Sequence, residues 1–323
     1  WEAQFVLGEN ESVESSLESL YGSGIVGFYA PRDDRIVIVS DSETPRIDRA
    51  TLAHELVHAL QDVHFDRARR TTRDGRTAQT GLREGDANLV AALYERRCRS
   101  EWSCLPRPNA TAAVDRDAGL YVDVIAPYTD GPAFVDRLRD RGGWAAVNDA
   151  YDDPPVSSEQ LIHPDAYPDD RPARVRVPDR SSDAWRRVGT ERLGELGAFL
   201  TLWSAGGIDR TGYFRGDGEF SARNYSHPAS AGWAGDRLAV YRNGDRAGYV
   251  WRLRWETARD AERFAAAYRR GLRALGAERV APGVYRIAEG GFADAFRVVV
   301  RNRTVTVTNA PTTDALNAVH DDG

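Results

Sequence analysis

The stretch TLAHELVHALQDVHFD, Thr51 to Asp66, places His54, His58, His64 and Glu55 in a segment that otherwise reads as a helix. Histidines at i and i+4 lie on one face of an α-helix, so the imidazoles of His54 and His58 can reach a single ion. Glu55, one residue on, sits about 100° around the helix and can reach a water on that ion without being a ligand. Between Leu52 and Leu60 it is the only charged residue. A carboxylate on an apolar, buried helix is costly unless a cation lies beside it. The stretch therefore predicts a buried helix that carries a zinc site. The plain alternative is a helix on which two histidines and a glutamate coincide by chance.

Composition sets the wider limits. A chain of 323 residues suggests one large domain or two ordinary ones, and 41% hydrophobic residues suffice for a core. All 43 basic residues are arginine, and Asp outnumbers Glu 31 to 18. Carboxylates hold water and cations well, whereas the long apolar stem of lysine suits concentrated salt poorly, so a salt-adapted, halophilic source is expected. The net charge of −6 is spread among interspersed acids and bases, which leaves no basic stripe for nucleic acid. No apolar run is long enough to span a bilayer. The chain begins at Trp1 and contains no Met, so the natural start is expected to have been removed. Cys98 and Cys104, in CRSEWSC, have a spacing that a short loop closes, and a disulfide is the leading reading over two buried thiols. With sequons at Asn10, Asn109, Asn224 and Asn302, these features favour an exported, extracellular or cell-surface protein.

In chain order, GIVGFYA and RIVIVS read as strands joined by the turn PRDD, which predicts a hairpin ending near Ser40. Asp48 or Thr51 is positioned to cap the histidine helix. RARRTTRDGRTAQTG lacks apolar periodicity and reads as a loop, followed by a helix from about Leu82 to Arg97. Further helices are expected around PAFVDRLRDRGGWAAVNDAY and RLGELGAFLTLWSAGG. From about Ser226 five alternating segments, GWAGDRLAVYR, GYVWRLRWE, GVYRIAE, AFRVVVRN and TVTVTN, predict strands, with a helix at DAERFAAAYRRGLRALG. The fold class is thus α+β: a mostly helical domain with a small N-terminal sheet, residues 1–210, then an α+β domain of antiparallel strands with one main helix, residues 211–323.

TLAHELVHAL resembles the extended signature of the zincin metallopeptidases, which implies His54 and His58 as zinc ligands and Glu55 as general base. His54, His58 and His64 reproduce the histidine spacing of the metzincins. That family, however, has a glycine three residues after the second histidine and a methionine turn, where this chain has Gln61 and no methionine at all. If the helix continues through Gln61, His64 is rotated roughly 120° from His58 and points away. Resemblance to the gluzincins implies instead a third ligand from the next helix, Glu84 in GLREGDANLVAALYE, with Asn88 one turn on to orient a ligand histidine. Asp86 is the local rival, and a surface glutamate near a helix start is the plain reading of Glu84. More broadly, VGFYAPRDDRIVIVS, TLAHELVHALQDVHFD, REGDANLVAALYE, PPVSSEQLIHPDAY, LGELG and AGWAGDRLAVYR resemble, in this order, surface-associated zincin-like proteins of haloarchaea and some bacteria.

Hydrolysis of a peptide also needs a donor for the oxyanion, and SSEQLIHPDAY offers His163 and Tyr167. The same segment reads equally well as a structural loop in which Glu159 and His163 bond to backbone. RIVIVS precedes the metal helix as the substrate-aligning strand of zincins does. His227 and His320 fall in loop or tail contexts unrelated to the metal, and Glu195 in LGELG has no evident partner. The sequence therefore predicts an extracellular zinc peptidase in which Glu55 assists attack by a zinc-bound water on a peptide or protein substrate. Two alternatives stand beside it: a cell-surface binding or structural protein with a non-catalytic zinc site, and a zinc hydrolase of non-peptide bonds. An open fourth coordination position favours an enzyme, and closure by His64 or Asp86 favours the binding protein.

Overall fold

The computed structural model describes residues 1–21, 27–39, 43–44, 47–66, 70–102, 118–216, 218–221 and 223–321. These form an α+β protein in which a helical part leads into a large antiparallel sheet. After α1 (Val13–Tyr21), strands β1 (Gly27–Ala30) and β2 (Arg35–Ile38) make the expected hairpin, with Phe28 opposite Val37 and Tyr29 opposite Ile36. Asp34 closes the turn at φ 47°, a left-handed conformation that Asp tolerates better than most residues.

Helix α2 (Arg49–His64) carries the three histidines and runs unbroken through Gln61. Asp48 is its cap, its carboxylate accepting from the N–H groups of Ala50 and Thr51 at 3.0 Å each. Helix α3 (Arg73–Ser100) begins well before Leu82, so much of the segment expected to be a loop is helical. Its buried residues there are Asp74, Gly75, Ala78 and Gly81. Small and polar side chains on the inner face leave no apolar periodicity to read, yet they let neighbouring helices approach. A Cβ on Gly85 would stand 2.3 Å from the carbonyl of Gly131 on α4 (Ala118–Asp152). Helix α4 starts before the predicted segment and bends at Gly142 and Gly143, where Gly143 takes φ +67°.

A short α5 (Ser158–Ile162), β3 (Arg186–Glu191) and α6 (Gly194–Ser204) follow. The remaining elements are β4 (Trp233–Asn243), β5 (Arg246–Trp255), α7 (Ala258–Ala274), β6 (Glu278–Ala281), β7 (Val284–Arg286), β8 (Ala295–Arg301), β9 (Thr304–Ala310) and α8 (Ala315–Val319). The sheet has seven strands in the order β3-β4-β5-β9-β8-β7-β6, antiparallel throughout. Five of these strands are the alternating segments of the sequence. The two edges, β3 and β6, were not legible because RRVGTE and ERVA are short and largely exposed, with no buried alternate face.

Helix α7 covers one face of the sheet, with Phe264 against Trp251 and Trp255 at ring separations of 5.7 and 4.9 Å. The same core takes in Phe5 and Leu120, so it crosses the division drawn at residues 210 and 211. Strand β3 lies before that division and pairs with β4 beyond it. Among the described residues, no helix is long and apolar enough to cross a membrane. Cys104, and with it the expected Cys98–Cys104 bridge, lies outside the described residues, as does the sequon at Asn109.

Candidate metal centre

Helix α2 is not the buried helix that its apolar run suggests. Leu56, Leu60 and Val63 face solvent at 49, 58 and 71% exposure, while its buried side chains include Glu55 and Gln61. The usual amphipathic order is partly reversed: Leu56 and Leu60 lie outside, while Gln61 faces α3 and Glu55 the hairpin, with Ala50 and Val57 buried on the same helix. Such an inner face is stable only if its polar groups find partners.

Those partners converge on one point. The Nε2 atoms of His54 and His58 are 3.0 Å apart, and Oε2 of Glu84 lies 3.4 Å from the first and 3.3 Å from the second. Ligand atoms bonded about 2.0 to 2.2 Å from one tetrahedral zinc are roughly 3.3 to 3.6 Å apart. Both histidine–glutamate spacings fall in that range, and the separation of the imidazoles is slightly shorter. The donor set of two imidazoles and one carboxylate therefore fits a zinc ion. Among the described residues no fourth His, Cys, Asp or Glu joins the group.

The charges of the group are coupled. Burial favours the neutral acid of Glu84, but hydrogen bonds to His54 and His58 outweigh it and bring the pKa down to about 2. Burial likewise works against a charged His58, and the adjacent Glu84 carboxylate overcomes this and raises its pKa. Glu84 is thus held as an anion at neutral pH, the form in which a carboxylate can bind a metal.

Glu55, on the next residue of α2, points to the hairpin. Its Oε2 accepts the backbone N–H of Tyr29 at 2.8 Å. Among the described residues its other oxygen has no hydrogen-bond partner. The strand that bonds to Glu55 is β1, and the RIVIVS strand β2 pairs with it.

The residue that orients His58 is Gln61, not Asn88. The Gln61 amide nitrogen donates to the Arg83 carbonyl and to Oδ2 of Asp86, both at 3.0 Å, so its oxygen faces Nδ1 of His58, also at 3.0 Å. Nδ1 must then donate, which leaves the Nε2 lone pair directed at the group. Tyr151 completes the chain, its hydroxyl donating to Oδ2 of Asp86 at 2.8 Å. Asn88 instead reaches the Tyr128 carbonyl on α4 at 3.5 Å. The available signal was position: Gln61 lies three residues after His58, on the same helix face. Its presence read as a missing glycine and not as a hydrogen-bond partner.

Asp86, the local rival to Glu84, is engaged by Gln61 and Tyr151. His64, at the exposed end of α2, lines a cavity of about 560 Å³ together with Val57, Leu60, Phe65 and Trp144. None of His54, Glu55, His58 or Glu84 lines that cavity.

His163 and Tyr167 are held elsewhere. The imidazole of His163 meets the fully buried Glu195 at 3.1 Å, and this hydrogen bond raises the pKa of His163 despite its partial burial. The hydroxyl of Tyr167 donates to the Asp153 carbonyl at 2.8 Å, and its ring packs on Phe134. Among the described residues no hydrogen bond links either one to the metal group.

Glu195, without an evident partner in the sequence, belongs to a second polar assembly at the start of α6. Asp236 on β4 accepts the N–H groups of Leu193 and Gly194 at 3.0 Å and the indole N–H of Trp251 at 2.9 Å. Asp74 at the start of α3 accepts from the backbone and hydroxyl of Ser158 and pairs with Arg192 at 2.9 Å. Gly194 takes φ +78° between them, where a Cβ would stand 1.9 Å from Oδ1 of Asp74. The LGELG segment is thus the joint between helices and sheet.

Residues 180–320 match the model of a domain of unknown function, DUF8575. The match takes in β3, α6, the rest of the sheet and α8, and contains none of His54, Glu55, His58 and Glu84. No curated protein and no solved structure matches the chain.

Proposed function

We propose that the protein is a zinc-dependent peptidase whose metal is held by His54, His58 and Glu84. The observation that carries this reading is the convergence of three ligand atoms from two helices, with Glu55 beside them. A zinc ion bound there would supply a Lewis acid for the scissile carbonyl and lower the pKa of a coordinated water. Glu55, with one carboxylate oxygen fixed by Tyr29 and the other without a hydrogen-bond partner among the described residues, is placed to take a proton from the attacking water and pass it to the leaving amine. The β1 edge beside Glu55 offers backbone groups to an extended peptide.

The binding-protein alternative needs a closed coordination shell. The engagement of Asp86 with Gln61 and Tyr151, and the place of His64 at the far end of α2, favour an open one. His163 and Tyr167 have no role in this proposal, because each is bonded away from the metal group.

The test is hydrolysis of a mixed peptide library by the zinc-loaded protein in high salt, with Glu55→Gln as control. Cleavage that falls by at least about a hundredfold in the control, with zinc retained, is the expected result. Absence of cleavage by the zinc-loaded wild type would reject the peptidase reading and favour surface binding.

A further inference from the structure

Glu159 on α5 is only 5% exposed, yet among the described residues its carboxylate has neither a hydrogen bond nor an ion pair. Burying an unpaired carboxylate is unfavourable, and nearly all buried polar groups in proteins are satisfied. Its surroundings increase the cost. Carboxylate oxygens of Glu159, Asp170 and Glu256 lie within 4.8 Å of one another, and Asp170 and Glu256 open to solvent. No arginine or histidine forms an ion pair with any of the three among the described residues. The nearby positive groups are committed: Arg192 pairs with Asp74, and His163 with Glu195.

We propose that Glu159, Asp170 and Glu256 form a calcium site, with Glu159 as its buried floor and the two exposed carboxylates as its rim. An all-oxygen set suits a hard cation, and calcium bonds of about 2.3 to 2.6 Å let oxygens up to roughly 5 Å apart share one ion. The open rim leaves room for the waters that complete the irregular coordination calcium accepts. The site has a structural consequence. Glu159 and Asp170 belong to the helical part, whereas Glu256 lies between the end of β5 and Thr257, which caps α7. One ion would bind α5 and the chain after it to the sheet, next to the backbone bond from Ala173 N–H to the Ala234 carbonyl. This inference is independent of the zinc centre, with which it shares no residue.

The experiment is a calcium titration of the chelator-treated full chain at fixed ionic strength, with and without one equivalent of zinc, read by thermal melting and by bound calcium per chain. The expected result is one saturable calcium and a rise in Tm of at least about 3 °C at saturation. Asp170→Asn and Glu256→Gln, both exposed and compatible with folding, should each weaken half-saturation tenfold or more. Three outcomes would overturn the proposal: no saturable rise, a response in both variants equal to that of the wild type, or magnesium matching calcium at the same half-saturation.

Discussion

Nδ1 of His58 donates to the side-chain oxygen of Gln61 across 3.0 Å, and the orientation of that amide is fixed independently by its bonds to Arg83 and Asp86. The tautomer of a candidate ligand is therefore set by a residue that touches no metal. Gln61→Ala should weaken zinc affinity about 10- to 100-fold while the fold is retained, and Asn88→Ala should leave it unchanged. Zinc competition titrations on the two variants check this. Equal affinities for the two would remove the orienting role from Gln61.

Glu84 and His64 are the two residues between which the third ligand is contested. Glu84→Ala should lose stoichiometric zinc and His64→Ala should keep one zinc per chain. Metal analysis after dialysis decides the matter, and zinc loss confined to His64→Ala would reverse the assignment.

Gly85 follows Glu84 and faces Gly131 across the α3–α4 contact, where an added Cβ would meet backbone at 2.3 Å. Backbone cannot rotate aside as a side chain does, so the helices must part. Gly85→Ala should destabilise the protein by about 1 to 3 kcal/mol or more, and by moving Glu84 it should weaken zinc binding too. Denaturant unfolding and zinc titration of the same variant test both effects. The exposed Gly143, with nothing within 4 Å of an added Cβ, provides a contrast in which only its positive φ is strained.

Glu159 also governs a pH dependence. Burial, reinforced by Glu195, Asp170 and Glu256, raises its pKa from 4.5 to about 9. The folded chain therefore holds a proton that the unfolded chain releases above about pH 4.5. Stability without calcium should fall as pH rises between these values, and level off above about pH 9. Glu159→Gln should flatten that slope, making the variant more stable than wild type at pH 8 to 9 when calcium is absent. Melting temperatures from pH 5 to 9 in chelator measure it, and parallel curves for the two proteins would contradict the assignment.

The hairpin, the histidine helix, five strands and the main helix of the sheet were legible because each follows from local periodicity or turn chemistry. What escaped had no local signature. The first turns of α3 bury glycines and Asp74 in place of leucines, because they serve close helix contact and a buried polar joint. β3 and β6 are edges with little to bury. Leu56 and Leu60 of α2 misled in the opposite sense, pointing outward while Glu55 and Gln61 are buried.

For the site, spacing alone joined His54 to His58 and set Glu55 beside them, since one turn of helix fixes those relations. The joining of Glu84 to them is a tertiary fact, made by the packing of α3 on α2. So are the pairing of His58 with Gln61, the capture of Asp86 by Tyr151 and the diversion of His163 to Glu195. A side chain's local spacing limits what it can reach, but only the assembled fold decides which partner occupies that reach and relieves the cost of burying it.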